Sequence, residues 1–247
     1  MAFELTNKTA LITGGTSGIG LAVAKRFISH GASVMISGRR PEGEDIAKAI
    51  GARFCQADVT QKAELLNLFD QTQAELGDLH IVVNNAGKSI NGALISEQNL
   101  ADFDEVFQLN VRAAYQVLQL AAQRVVTGGS IINTASIAAV KGCSYSSVYY
   151  ASKAALLSMT QTAALELACK SIRVNAVSPG LIESEIWEGN TPHAMAESIV
   201  PMQRVGSGDE AAAVFHFLAC DDSSYVTGAN YFVDGGFSAG PVMKVDS

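Results

Sequence analysis

Thr9-Ala10-Leu11-Ile12-Thr13-Gly14-Gly15-Thr16-Ser17-Gly18-Ile19-Gly20 is a short apolar run that ends in glycines spaced Gly-x-x-x-Gly-x-Gly. The run Thr9–Thr13 reads as a buried strand. Leu21–Ile28, with Ala22, Ala24 and Phe27 among charged partners, reads as the helix that follows it. Glycines between a strand and a helix permit a tight turn. They also let main-chain N–H groups approach an anion at the helix end where the dipole favours negative charge. The turn fits the pyrophosphate of a dinucleotide; the same residues also fit a glycine-rich turn that holds nothing.

Working outward, the alternation continues. Gly31 closes the first helix, and Ser33–Ser37 is the next β-rich run. Strands follow at Arg53–Ala57, His80–Val83, Ser130–Asn133, Arg173–Val177 and Asn230–Val233. Helices lie between them at Leu65–Leu76, Phe103–Val126, about Val148–Ala168 and Asp209–Leu218. Short apolar strands separated by helices imply a parallel sheet covered on both faces. The expectation is one α/β domain over residues 1–247, a Rossmann-like, doubly wound parallel sheet. The long irregular stretch Leu181–Pro201 is expected to be a substrate loop.

Composition agrees with a packed enzyme-sized domain. Hydrophobic residues are 48% and charged residues 17% of 247, which excludes disorder. With 17 basic and 24 acidic residues the net charge is −7, which argues against a nucleic-acid partner. The charge-free run Val125–Val140 is broken by Gly128-Gly129 and is too short to cross a membrane. The start Met1-Ala2-Phe3-Glu4 has no apolar signal run. Cys55, Cys143, Cys169 and Cys220 are scattered, as are His30, His80, His193 and His216, so neither disulfides nor a metal site is expected. These features point to a cytoplasmic protein.

Tyr149 and Lys153 are four residues apart and share one helix face. A phenol titrates near pH 10 unless a neighbouring ammonium stabilises its anion, so this pair suits proton exchange with a carbonyl or hydroxyl. Tyr150 points elsewhere, its partner four on being Ala154, and is assigned to packing. Ser136 lies thirteen residues before Tyr149 at the end of a strand. Asn84-Asn85-Ala86-Gly87, Leu109-Asn110-Val111, Pro179-Gly180-Leu181-Ile182 and Val233-Asp234-Gly235-Gly236 complete an ordered series.

Together with Gly14–Gly20, this series resembles the short-chain dehydrogenase/reductase family from about Thr6 to Gly236. The resemblance implies an NAD(P)(H)-dependent oxidoreductase of ketones and secondary alcohols. It makes Tyr149 the general acid/base, Lys153 its partner and ribose ligand, and Ser136 a hydrogen-bond donor to the substrate oxygen. Asn110 would hold a water that links Lys153 to solvent. Cofactor contacts would come from Gly14, Thr16, Ser17, Gly18, Ile19, Gly20, Asn85, Ala86, Gly87, Pro179, Gly180, Ile182 and Ser184. Asp58 and Val59 would meet the adenine, although Asp58 equally suits a cap for the segment after it.

NAD-preferring relatives carry an acid where this chain has Gly38, followed by Arg39 and Arg40. Arginine suits a 2′-phosphate, so NADP is favoured over NAD. Ser17, however, stands where some NADP relatives place a base, and both arginines could begin a solvated helix. Lys88–Ile90, Lys141–Tyr145 with Cys143, Gly180 and Trp187 would line the substrate site, although Trp187 equally suits a core. Acyl-carrier-protein reductases of the family place a basic residue where this chain has Thr127, which weakens that alternative, and a second one that Lys170 matches, which keeps it open. A non-catalytic dinucleotide-binding regulator is the rival from another class. The helices over Phe103–Val126 and Val148–Ala168 are apolar over more than one stripe. The resemblance has them pack against their copies in a homotetramer, with Tyr231–Gly236 at a second interface.

Overall fold

β1 (Thr9–Thr13) is buried at every residue, as an apolar run without polar alternation requires. The structure, a computed structural model, describes residues 3–90, 92–183 and 193–240. The other strands are β2 (Ser33–Gly38), β3 (Arg53–Gln56), β4 (Leu79–Asn84), β5 (Val125–Thr134), β6 (Arg173–Pro179) and β7 (Asn230–Val233). They form one seven-stranded sheet in the order β3-β2-β1-β4-β5-β6-β7, every adjacent pair parallel. The chain winds outward from β1 to β3 and then crosses back to β4. The strand order therefore reverses between β1 and β4, where a crevice opens at the carboxyl ends of the strands.

One face is covered by α1 (Gly18–Ser29), α2 (Gly43–Ile50) and α8 (Gly208–Ala219), around Ile12, Phe27, Ile36 and Phe215. The other is covered by α3 (Lys62–Leu76), α5 (Ala114–Arg124) and α6 (Ser147–Leu167), around Leu11, Phe69, Val117 and Ile131. This is the doubly wound arrangement expected. Local chemistry sets the ends: Ser207 and Glu210 form a reciprocal capping box on α8, and Asn99 caps α4 (Leu100–Phe107).

Three departures from the sequence reading have physical causes. The helix expected over Phe103–Val126 starts at Leu100, ends at Arg124 and is interrupted by a π-helical turn, Gln108–Ala113. A π turn inserts one residue without erasing the apolar period, so periodicity alone reads through it; such turns gather at functional sites. β5 begins at Val125, not Ser130, because Gly128 (φ +84°) and Gly129 bend the strand without ending it. The pairing with β4 shifts register there, between Leu79 and Ile81. Finally, His193–Ile199 forms a helix, α7, inside the stretch expected to be irregular.

Candidate active site

The glycine turn meets the crevice. Gly14 and Gly18 have φ of +64° and +50°, conformations that L side chains rarely adopt. A Cβ on Gly20 would collide with the Gly14 carbonyl, so the third glycine lets α1 pack onto the turn. Ser17 is the N-cap of α1 but its side chain makes no capping bond, and the first turn carries no acid. The leading N–H groups, among them those of Gly18 and Ile19, therefore face the crevice unneutralised. This cradle fits the diphosphate of a dinucleotide.

At the end of β2, Gly38 packs on Thr16: a Cβ there would lie 3.0 Å from both Thr16 Oγ1 and Cγ2. Arg39 and Arg40 are exposed beyond it. The field of Arg39 reaches Glu105, whose carboxylate is lowered mainly by its ion pair with Lys88. Asp58 Oδ1 accepts from the Thr60 N–H at 2.9 Å and its hydroxyl at 2.7 Å. It therefore caps a turn, while Gln61 is the N-cap of α3. Val59 is buried in the core beneath this end of the sheet.

The chemistry-bearing residues converge at the carboxyl end of β5. Ser136 Oγ accepts from the Ala138 N–H at 3.1 Å, which leaves its own proton to be donated, and it hydrogen-bonds the Tyr149 phenol. Lys153 is buried and donates to the Thr134 carbonyl at 2.8 Å. Its ammonium lies 5.8 Å from the centre of the Tyr149 ring. Burial pulls Lys153 down to about 8. Burial also raises the Tyr149 phenol above its ordinary 10, and the Ser136 hydrogen bond offsets only part of that rise. The lowering of Tyr149 expected from the lysine does not appear: burial dominates, and the Ser136 hydrogen bond is what opposes it.

Asn110 sits in the π turn. Its Nδ2 donates to the Lys88 carbonyl at 2.8 Å and to Ser152 Oγ at 3.1 Å, and its Oδ1 accepts from the Lys88 N–H at 2.9 Å. Both amide protons are therefore spent, and one lone pair of Oδ1 remains for a water. Gly87 stands between the two groups: a Cβ there would lie 3.3 Å from Asn110 Oδ1 and 3.4 Å from Lys153 Nζ. Asn85 acts as a strut. Its Nδ2 bonds the carbonyls of Thr13 and Gly14, and its Oδ1 accepts from Thr134 Oγ1. The Ala86 N–H, like that of Asn85, is held by Thr13 Oγ1.

The cleft walls are placed more unevenly. Cys143 is exposed and hydrogen-bonds the Tyr150 phenol. Burial first, then Cys143, pushes that phenol up to about 12, so the half-buried Tyr150, assigned to packing from the sequence, turns its hydroxyl to the loop that carries Cys143. Pro179 ends β6, and Gly180 packs on Asp234 with its N–H on the Val233 carbonyl at 3.0 Å. Ile182 is buried and pairs with Gly206. Ser184 and Trp187 lie outside the described residues. Among the described residues, no cluster of three His, Cys, Asp or Glu side chains could hold a metal ion.

Comparison with known proteins gives this geometry a family. A family model described as enoyl-(acyl carrier protein) reductase matches residues 14–238. The NADP-dependent (R)-specific alcohol dehydrogenase of Lentilactobacillus kefiri is 36% identical, over 97% of this chain and 100% of that one. The 3alpha-hydroxysteroid dehydrogenase of Mediterraneibacter gnavus is 37% identical, over 95% and 98%. A crystal structure of a short-chain type dehydrogenase/reductase from Mycobacterium marinum superposes with a TM-score of 0.90 at 35% identity, over 96% and 98%. The chain belongs to the short-chain dehydrogenase/reductase family.

As an oxidoreductase of the short-chain dehydrogenase/reductase family, this chain also relies on residues that its motifs do not announce. Thr13 and Thr134, at the carboxyl ends of β1 and β5, hold Asn85 and Lys153, and Ser152 holds Asn110. The available signal was position: a hydroxyl or carbonyl at a strand end, one residue from a glycine turn or two before Ser136. Thr127 and Lys170 lie at the amino ends of β5 and β6, the opposite end of the sheet from Tyr149.

Proposed function

We propose that this protein interconverts a ketone and its secondary alcohol with NADP(H) in preference to NAD(H), with Tyr149 as general acid/base. The observation that carries the reading is the meeting of Ser136, Tyr149 and Lys153 beside the glycine cradle. When bound, the nicotinamide supplies or accepts the hydride. In reduction the Tyr149 phenol gives its proton to the carbonyl oxygen; in oxidation the phenolate takes the hydroxyl proton. Ser136 donates toward the same oxygen and supports the charge that develops there. Lys153, titrating at about 8, is mostly protonated at neutral pH. Its charge favours the phenolate, and its remaining N–H groups suit the nicotinamide ribose. The open lone pair of Asn110 can hold a water on the proton path toward solvent.

NADP is supported by Arg39, exposed at the end of β2 where Gly38 offers no carboxylate to ribose hydroxyls. Glu105, the acid its field reaches, is already paired with Lys88. Titrating the protein with NADPH and NADH, then assaying ketones and secondary alcohols with each, tests the reading. Tighter NADH binding overturns the cofactor preference, and no turnover with either overturns the activity. Relatives named 3-oxoacyl-[acyl-carrier-protein] reductase favour a second reading, that activity, but Thr127 and Lys170 supply no basic pair beside this chain's own cleft. The complete Ser136, Tyr149 and Lys153 set weighs against a non-catalytic dinucleotide-binding regulator. The same reading makes the protein a cytoplasmic homotetramer; no described helix is long and apolar enough to cross a membrane.

A further inference from the structure

Residues 3–8 form a strap that precedes β1 and lies across the carboxyl ends of α1 and α8. Leu5 is fully buried, and its N–H donates to the His30 carbonyl at the end of α1 at 2.9 Å. The Lys8 carbonyl accepts from the Ser33 N–H at 2.9 Å, and the Lys8 ammonium pairs with Asp221 at 3.5 Å. The first residue of the strap is held from α8 instead. The Phe3 N–H donates to Asp222 Oδ2 at 2.6 Å in the turn after α8, and the Phe3 carbonyl meets His216 Nε2 at 2.8 Å. His216 is only 2% exposed, and its other ring nitrogen, Nδ1, accepts from Arg26 Nε of α1 at 3.3 Å. A guanidinium offers only N–H groups and a carbonyl only lone pairs, so Nδ1 is bare and Nε2 carries the proton. A neutral imidazole thus ties α8 to α1 and to the strap. A second proton, on Nδ1, would face the Arg26 guanidinium directly. The His30 ring, 4.1 Å from that of His216, offers no counter-charge, and its Nδ1 donates to the Arg26 carbonyl at 2.8 Å. Asp222 is the one carboxylate among the described residues whose field reaches His216, and it is engaged by the Phe3 N–H and the Cys220 thiol. Burial above all holds His216 below its ordinary 6.5, with His30 and Arg26 adding to the effect and the Phe3 carbonyl and Asp222 opposing it.

We propose that His216 is an acid-sensitive latch: its protonation drives off Arg26, parts α1 from α8 at this end and frees the strap that bridges them. The strap cannot follow both helices, because Leu5 is anchored on α1 and Phe3 on α8 and the turn beyond it. The sign follows from the buried neutral ring. The unfolded chain takes up the proton more readily than the fold does, so the latch contributes fully above about pH 6.5 and is lost as pH falls below it. The device stands apart from the proposed reaction, since the strap lies at the amino end of the sheet and Tyr149 at the carboxyl end.

Hydrogen exchange of the Leu5 and Ser33 N–H groups between about pH 7.5 and about pH 5, read by NMR with the ring nitrogen shifts of His216, tests this. At the upper pH the wild type should show a neutral ring with the proton on Nε2. On acidification both amides should lose protection by about tenfold or more while the amides of β5 keep theirs. His216→Gln retains a donor for the Phe3 carbonyl and an acceptor for Arg26 but takes up no proton, so its strap should stay protected at the lower pH. Arg26→Gln removes the facing charge and should move the loss of protection to lower pH. Protection that survives acid in the wild type, or that is lost at the same pH in all three proteins, overturns the proposal. So does a His216 ring that is already an imidazolium, or carries its proton on Nδ1, at the upper pH, a result that needs no variant to fold.

Discussion

Replacing Tyr149 by Phe removes one oxygen from a ring that keeps its size, so the change isolates the transferable proton. Positioned acid–base catalysis is worth about 10²–10⁴ in rate, and turnover should fall within that range while nucleotide affinity stays unchanged. Residual activity above about a tenth of wild type would mean that another group supplies the proton. Lys153 can be tested without turnover. Its buried ammonium titrates at about 8, whereas an unfolded chain would hold the proton to the ordinary 10.5. The folded state therefore bears the full cost of a buried charge below pH 8 and sheds it as pH rises to 10.5. Lys153→Met has no such charge. Its stability relative to wild type should drop by about 3 kcal/mol between pH 7 and pH 10.5 in denaturant titrations. A difference that does not move with pH would show that Lys153 keeps an ordinary titration in the fold.

At the level of elements, the site depends on how α6 is docked to β5. Asn133 Nδ2, three residues before Ser136, donates to Thr160 Oγ1 at 2.9 Å, and Thr160 is two turns beyond Lys153 on the same buried face. Asn84 Nδ2 in turn bonds Asn133 Oδ1 and the Ala114 carbonyl just past the π turn, both at 2.9 Å. Thr160→Val keeps the side-chain volume but strands the Asn133 amide in the core. It should cost about 1–3 kcal/mol in urea unfolding and lower kcat more than it raises KM. An unchanged urea midpoint would show that a water or a rotated amide replaces the bond. These joints also mark the limit of what the chain discloses on its own. β1, the glycine turn and the spacing of Tyr149 from Lys153 are local, and local pattern reads them. The π turn around Asn110, the bend at Gly128, and the Thr13 and Thr134 struts depend on partners more than forty residues away or on one inserted residue. No periodicity carries that information.

For the whole molecule, the question is what covers the apolar surface that the sheet does not use. On α6, Leu156, Thr160, Ala163 and Leu167 face the molecule's own core, while Ala151, Ala154 and Leu165 point outward, Leu165 with 82% of its surface exposed. Leu100, Phe103 and Tyr115 are exposed on α4 and α5. Stripes of this kind favour association. β7 is an edge strand that exposes Phe232, and an unpaired edge is a second surface that calls for cover. Two separate self-complementary interfaces on one subunit close into a tetramer with D₂ symmetry. Light scattering should then give a mass near 104 kDa, four times the 25.9 kDa chain. Leu165→Glu should remove the helical interface and Phe232→Glu the strand interface, each leaving a dimer, and the double variant a folded monomer. Ala163→Glu makes the contrast, because Ala163 is buried against the core and a carboxylate there should unfold the subunit rather than separate it. A wild-type mass of one chain would refute the assembly. A wild-type dimer that only one of the two outward charges dissociates would remove the other interface.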